Sequence, residues 1–336
     1  MNKSINILVT GANGQIGTEL VRALRLKYSH ESVIASDLQM EDDHEGMCLK
    51  LDVMDAQALF QVVNGLGITH IYHLAAALSA NGEKAPLNAW NLNMQGLLNI
   101  LEVARLKKVQ QVFWPSSIAV FGPDSPKAHC PQDAITIPAT VYGISKCAGE
   151  YWCQYYNKQY GLDIRSLRYP GLISHSAPAG GGTTDYAVAI FHEALNHNNY
   201  TCYLEKDTML PMMYMPDAVR ATMELMDAPA ENLTVRTAYN LAGFSFTPEE
   251  IVRKIRIHLP DLQVSYKPDF RQQIADSWPA SIADQQAKWD WGWQPDYDLS
   301  CMVTDMLKQL ENKKNHHQDL IGELTGPVTD VLRKDA

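Results

Sequence analysis

The chain opens with Ile7-Leu-Val-Thr-Gly11-Ala-Asn13-Gly14-Gln15-Ile16-Gly17-Thr-Glu-Leu-Val-Arg22. Ile5, Ile7, Leu8 and Val9 make an apolar run of buried-strand length. Three glycines spaced three apart break it, and apolar residues return with helical period at Ile16, Leu20, Val21 and Leu24. Strand, tight glycine turn and helix in that order suit a dinucleotide. The glycines let backbone N–H groups approach a pyrophosphate, and the helix N-terminus stabilises its negative charge. The spacing alone also fits a structural turn. Position favours the ligand, because a first βαβ unit puts its turn at the chain start. A second apolar run, Val33 to Ser36, ends at Asp37, 20 residues after Gly17. A carboxylate there accepts from ribose hydroxyls and repels a 2′-phosphate, so NAD is expected over NADP.

Strands and helices alternate onward. After a polar stretch from Met40 to Gly46, Met47 to Leu51 reads as a strand ending at Asp52-Val53. A helix from about Asp55 to Asn64, a strand over Ile71 to Ala76, a long helix from about Ala85 to Lys107 and a strand over Gln111 to Ser117 follow. This order predicts an α/β, Rossmann-type doubly wound parallel sheet, with ligands beyond the carboxyl ends of its strands. The glycine turn, Asp37, Asp52, Ala75 and Ser117 all fall at such ends.

Composition narrows the class. The 336 residues are 46% hydrophobic and 20% charged, with net charge −10. No basic footprint for nucleic acid or an anionic membrane appears, and no apolar run is long enough to span a bilayer. The six cysteines lack a C-x-x-C pair, and the eleven histidines lack metal-ligand spacing. No metal site, free thiols and a cytoplasmic protein without a leader are therefore expected. His316-His317 reads as a solvated pair.

The second motif is Tyr142-Gly-Ile-Ser-Lys146, opening a helix that runs to about Tyr160. Residues four apart share a helix face, so phenol and ammonium are neighbours. A tyrosine with a pKa near 10 is a poor base at neutral pH, and a nearby Lys⁺ favours its phenolate. The phenolate can then take a proton from a substrate alcohol while hydride leaves to the cofactor. Ser117 would hold the alcohol oxygen. The plain alternative for this spacing is a solvated helix face.

Together the glycine turn, the Ser117 strand end and Tyr142-x-x-x-Lys146 resemble the extended short-chain dehydrogenase/reductases, over roughly residues 5 to 310. The resemblance implies Ser117, Tyr142 and Lys146 as catalytic residues, with Asn93 shaping the proton relay. It implies an NAD site of Gly11, Asn13, Gly14, Gln15, Ile16, Gly17, Asp37 and Leu38, with Asp52-Val53 at adenine. Leu74, Ala75 and Ala76 would lie over the pyrophosphate and ribose, with Asn93, Ser116, Tyr142 and Lys146 nearby. Because Ser116 and Ser117 are adjacent, which of them meets the substrate oxygen stays open.

Later phrases narrow the resemblance to members that oxidise L-threonine: Arg168-Tyr-Pro-Gly, Gly182-Thr-Thr-Asp-Tyr-Ala, Pro211-Met-Met-Tyr-Met-Pro-Asp and Ala275-Asp-Ser-Trp-Pro. They imply Tyr169, Pro170 and Leu172 at the nicotinamide. Ser79, Gly182, Thr183, Thr184 and Trp278 would sit at the substrate beside Ser117 and Tyr142. Read bottom-up, the glycines at 180–182 offer free N–H groups before a Thr-Thr-Asp cap, a geometry suited to a small carboxylate. The implied reaction converts L-threonine to 2-amino-3-ketobutyrate, coupled to a 2-amino-3-ketobutyrate CoA ligase. A homodimer through the two long helices is also implied. The rivals are a nucleotide-sugar epimerase/dehydratase of the same family and a non-catalytic NAD-binding regulator. Sparse Arg and Lys around 175–216 disfavour the first, and retention of Tyr142 and Lys146 the second.

The expected domains are 1–170 with 231–258 for NAD, 171–230 with 259–312 for substrate, and a loose polar tail at 313–336. The Met- and Pro-rich stretch 210–216 reads as a packing or gating loop before a helix capped by Asp217. Val235 to Leu241 reads as a strand. Thr247 and Glu250 have capping-box spacing. Trp278, Trp289, Trp291 and Trp293 read as a satellite core.

Overall fold

In the computed structural model the described residues are 5–40, 46–177 and 180–325, with 316–325 described by backbone alone. Most of the polar stretch from Met40 to Gly46, the side chains of His316-His317 and the end of the tail lie outside them. The first half alternates as expected: β1 (Ile7–Thr10), α1 (Gln15–Lys27), β2 (Val33–Asp37), β3 (Cys48–Lys50), α2 (Ala56–Gly65), β4 (His70–His73), a single turn α3 (Ser79–Gly82), α4 (Pro86–Lys107), β5 (Gln111–Phe113), β6 (Ser116–Ser117), α5 (Val141–Tyr160) and β7 (Asp163–Arg165). The main sheet has the order β3-β2-β1-β4-β5-β7, and every neighbouring pair is parallel. Strand order reverses between β1 and β4, so a crevice opens beyond their carboxyl ends. The doubly wound reading of the sequence is borne out.

Burial explains the layers. On one face Leu20, Val21 and Leu24 of α1 pack with Val9 and Ala35. On the other, Leu59 and Val63 of α2, Leu97, Ile100 and Leu101 of α4 and Cys153 of α5 pack on Leu8 and Ile71. Each such buried aliphatic side chain contributes about 1.5–3 kcal/mol. The turn between β1 and α1 needs its glycines sterically. Gly11 has φ +76°, and a Cβ at Gly17 would lie 2.3 Å from the Gly11 carbonyl oxygen.

The second half departs from simple alternation. It contains β8 (Leu167–Tyr169), β9 (Gly171–Ile173), α6 (Tyr186–His197), β10 (Asn199–Cys202), β11 (Leu210–Tyr214), α7 (Met215–Asp227), β12 (Tyr239–Asn240), β13 (Phe244–Phe246), α8 (Pro248–His258), β14 (Gln263–Tyr266), α9 (Phe270–Asp276), α10 (Gln285–Trp291) and α11 (Leu299–Thr325). Three small sheets, β12-β8-β6, β13-β11-β9 and β10-β14, sit beside the main one. The segment 111–117, legible as one strand, is split, and 162–174, legible as a strand running into a loop, holds three short strands. Pro115 separates β5 from β6 and Pro170 separates β8 from β9, because proline cannot donate to a ladder. Helix α7 packs on the β1 side of the main sheet through Met215, Ala218 and Leu225. Helix α8 packs with α6 and α11 in a separate core through Ile251, Val252 and Ile255.

Several expectations are corrected. Residues 210–214 are a strand rather than a loop: all five are buried, and β11 pairs with both β9 and β13. Asp217 lies inside the first turn of α7 and accepts from the Asp296 and Tyr297 amides instead of capping the helix. Only Tyr239–Asn240 of the predicted strand 235–241 is extended as a strand. Trp293 is buried and packs on Trp291, whereas Trp289 is exposed and Trp278 faces the cleft. Helix α11 continues to Thr325 through Gly322, and Lys313 on it donates to the His175 and Ser176 carbonyls. Part of the supposed tail is therefore attached. The capping box at Thr247 and Glu250 is present as read.

Candidate active site

A cleft of about 550 Å³ lies over the β1/β4 crevice. Its first half is lined by Gly11, Gly14, Gln15, Ile16, Gly17, Leu74 and Ala76. Here α1 begins at Gly14, with no side-chain cap and no acidic residue in its first turn. Its first N–H groups therefore face the cleft without a competing anion, which suits a pyrophosphate. Asp37 ends β2 and steadies the turn, its carboxylate accepting from the Asn13 amide at 3.0 Å and the Leu38 amide at 2.7 Å. A carboxylate at this strand end fits ribose hydroxyls. These residues fit NAD.

Asn13, Asp37, Leu38, Asp52, Val53, Ala75 and Asn93 do not themselves line this cleft. Asp52 caps its own turn by accepting from the Met54 amide, and the Val53 carbonyl accepts from Asn99. Both stand next to β2, since the Leu51 amide bonds the Asp37 carbonyl. Asn93 is buried on α4 and braces the loop after β4. Its amide oxygen accepts from the Ala77 N–H at 2.8 Å, and its nitrogen donates to the Ala77 carbonyl and to Ser145 Oγ, both at 3.1 Å.

The middle of the cleft holds Ser116, Ser117, Tyr142, Lys146, Tyr169, Pro170 and Leu172. Helix α5 starts at Val141 with Thr140 as its cap, accepting from the Gly143 amide. Its N-terminus lies so near the turn that follows β6 that a Cβ on Gly143 would come within 2.1 Å of the Ala119 carbonyl. This close approach sets Tyr142 beside Ser117 in the cleft, where the serine hydroxyl favours the phenolate. Ser116 instead points behind the strand and donates to Glu150 Oε1 at 2.6 Å. Adjacent strand residues face opposite sides, so Ser117 faces the cleft.

Lys146 is buried, with Nζ donating to the Pro115 carbonyl at 2.6 Å. Its ammonium lies 4.5 Å from the Trp114 ring centroid and 5.6 Å from that of Tyr142. Burial pushes Lys146 down to about 7, opposed by Cys153 and Glu150. Burial pushes the Tyr142 phenol up to about 12, opposed by the Ser117 hydrogen bond. This differs from the expectation that Lys146 holds the phenol below its ordinary value: with protein groups alone, desolvation outweighs the ammonium.

The far end is formed by Ala77, Leu78, Ser79, Asn81, Gly180, Gly182, Thr183, Thr184, Asp185 and Trp278. Ser79 Oγ lies 3.2 Å from Thr183 Oγ1 and accepts from the Thr183 amide at 3.3 Å. The loop amides are not free. Asp185 Oδ2 accepts from the Gly181 amide at 2.8 Å and the Gly182 amide at 2.7 Å. The expectation of open N–H groups is corrected: the Asp185 carboxylate turns back onto the loop rather than capping α6. Hydroxyls, rather than amides, face the cleft here. Among the described residues, Lys146 is the one basic side chain lining the whole cleft.

The family model described as NAD dependent epimerase/dehydratase matches residues 7–242. The chain belongs to the NAD-dependent epimerase/dehydratase family. Within that family it is 46% identical to the mitochondrial L-threonine 3-dehydrogenase of Bos taurus, over 90% of this chain and 81% of that one. An L-threonine dehydrogenase from Cupriavidus necator, solved in its holo form, is 56% identical with TM-score 0.89, covering 91% of this chain and 99% of that one. A monomeric L-threonine 3-dehydrogenase from a metagenome, solved in its apo form, is 48% identical with TM-score 0.90 over the same shares. The resemblance read from the sequence is borne out.

Sequence reasoning missed Ser145, Glu150 and Arg168, and it misread Asp185. Ser145 and Glu150 had a signal, lying three and eight residues after Tyr142 on the same helix. The partner of Asp185 had none, because its contact depends on the fold of the loop before it.

Proposed function

We propose that this chain oxidises the β-hydroxyl of L-threonine with NAD, giving 2-amino-3-ketobutyrate. The observation that carries this reading is one cleft joining an uncapped helix N-terminus, the Ser117–Tyr142–Lys146 set and a shelf of hydroxyls at Ser79, Thr183 and Thr184. The family and the L-threonine dehydrogenase relatives support it. A nucleotide sugar needs cations for its diphosphate, and among the described residues the far half of the cleft presents none.

Bound NAD would supply the hydride acceptor for the substrate β-carbon and a positive ring charge that would favour ionisation of the Tyr142 phenol. Gly11, Gly14 and Gly17 let the backbone approach its pyrophosphate, with Gln15 and Ile16 supplying helix N–H groups. Asp37 selects for NAD. Tyr169, Pro170 and Leu172 wall the nicotinamide side, and Trp278 closes the substrate end. Ser117 orients the β-oxygen and Tyr142 accepts its proton. Lys146, held by Pro115, supplies the positive charge that stabilises the phenolate. Asn93 connects the loop at Ala77 to Ser145 beside Lys146. The substrate carboxylate lies on the Ser79, Thr183 and Thr184 hydroxyls.

The assembly we propose is a homodimer through α4 and α5. The chain works in the cytoplasm, its product consumed by a CoA-dependent ligase that cleaves the β-keto acid. No helix among the described residues is long and apolar enough to cross a membrane. Tyr142→Phe tests the mechanism. It is expected to lower kcat for L-threonine by about 100-fold or more while the NAD dissociation constant, read by fluorescence, stays within about twofold. Near wild-type kcat contradicts the role given to Tyr142.

A further inference from the structure

Beneath the catalytic helix lies a buried carboxylate that the mechanism above does not use. Glu150 sits four residues after Lys146 and eight after Tyr142 on α5, and both it and Arg168 are buried. Its Oε1 accepts from Ser116 Oγ at 2.6 Å and from Arg168 Nε at 2.8 Å, and its Oε2 accepts from Arg168 Nη2 at 2.8 Å. Ser116 and Arg168 are register partners across β6 and β8. One carboxylate thus clamps the two strand ends that carry Ser117 and Tyr169-Pro170 onto the helix that carries Tyr142 and Lys146. Arg168 Nη1 donates to the Gln132 carbonyl and to Asn240 Oδ1, which holds the fork in place.

We propose that Glu150 is a positioning residue for the oxidation: through Ser116 and Arg168 it fixes the Ser117 strand end and the Tyr169-Pro170 wall against the helix that carries Tyr142 and Lys146. The proposal rests on the assignment of Tyr142, Lys146 and Ser117 made above. The groups that face Lys146 are Tyr142, Glu150 and Cys153 from its own helix and His73 from β4. Of these, Glu150 carries a negative charge, which it shares with its ion-pair partner Arg168. His73 is held neutral by burial, with Lys146 adding to that effect. Removing the Glu150 charge leaves a desolvated ammonium without its counter-charge, and Lys146 loses its proton at lower pH.

Two variants separate clamp from charge. Ser116→Ala removes one hydrogen bond and leaves the ion pair intact. Glu150→Gln keeps an acceptor for Ser116 and removes the charge. The readouts are kcat and KM with L-threonine and NAD, thermal midpoint, and the titration of Lys146 in the full chain followed by ¹³C NMR of labelled lysine. For Ser116→Ala, kcat is expected to fall about fivefold with unchanged KM for NAD and an unmoved Lys146 titration. For Glu150→Gln, kcat is expected to fall about 30-fold or more, with the Lys146 midpoint moved at least about one unit to lower pH. If Glu150→Gln does not fold, Ser116→Ala decides the clamp, and Glu150→Gln with Arg168→Met decides the charge. The proposal is overturned if kcat stays within about twofold in the folded variants, or if only the thermal midpoint falls while Lys146 titrates as in the wild type. Should the wild type fail to oxidise L-threonine while the Glu150 variants still shift Lys146, the substrate reading falls and the charge role stands.

Discussion

Asp185 shows how one side chain can reverse a local reading. The glycines at 180–182 suggest an anion site of free amides, yet the carboxylate four residues on occupies two of them. Burial raises the Asp185 pKa, and the Gly182 and Gly181 amides oppose that rise. Both amides meet the same oxygen, so Asp185→Asn can keep them and Asp185→Ala cannot. Steady-state kinetics on the two variants is expected to show KM for L-threonine about tenfold higher in Asp185→Ala and near wild type in Asp185→Asn, with KM for NAD unchanged in both. Equal KM in all three forms contradicts a loop held for the substrate. His73 gives a second prediction at this scale. It is buried, with Nδ1 on Thr10 Oγ1 at 2.8 Å, and burial pushes it down to about 3 from an ordinary 6.5. The unfolded chain then binds more protons than the folded one between these values. This group's stabilisation is therefore complete above about 6.5 and is lost as pH falls toward about 3. Thermal melts over that window are expected to fall more steeply for the wild type than for His73→Gln, and parallel curves contradict it.

At the scale of elements, α4 and α5 do more than cover the sheet. Tyr142, Lys146 and Glu150 occupy the inner side of α5, while Ile144, Tyr151, Trp152, Tyr155 and Tyr160 are exposed on it. Leu87, Trp90 and Leu106 are exposed on α4. An apolar face of this extent on a net-negative chain suits a second copy of the same face. Sedimentation at micromolar concentration is expected to give a dimer for the wild type and a monomer for Tyr151→Glu with Tyr155→Glu, whose melting is otherwise retained. A wild-type monomer contradicts the interface. Elements also mark where sequence is a fair guide. The helices at 15–27, 86–107 and 141–160 have apolar periods and clear stops, such as the left-handed Lys108 and Gly161 after the last two. The short strands β6, β8, β9 and β12 are legible only in part. Their boundaries are set by a neighbouring sheet and by Pro115 and Pro170, which periodicity does not record. Strand β11 is hidden for the same reason: a buried run of Leu, Pro and Met has no alternation to read.

Across the whole molecule, the cleft gathers residues from the main sheet, from the small sheets beside it and from the loop before α6, and the proposed site draws on all three. Tyr142 and Lys146 come from a helix on the main sheet, Ser117 and Tyr169 from a small sheet beside it, and Thr183 and Thr184 from the loop before α6. The glycine turn, Asp37 and Tyr142-x-x-x-Lys146 were legible because each keeps its chemistry within a few consecutive residues. The Glu150–Arg168 pair was not, since its partners are 18 residues apart in sequence and meet only once β8 is in place. Breaking one side of such a buried pair typically costs about 3–5 kcal/mol, so its retention has a stability component as well as a positional one.

The proposed reaction couples NAD to the β-hydroxyl of L-threonine in this cleft. The most direct measurement follows NADH absorbance with NAD and L-threonine, with D-threonine, L-serine, L-allo-threonine and NADP as controls. NADH is expected to form with L-threonine, with little formed from the other amino acids and little reduction of NADP. No NADH with L-threonine under conditions where NAD binds contradicts it.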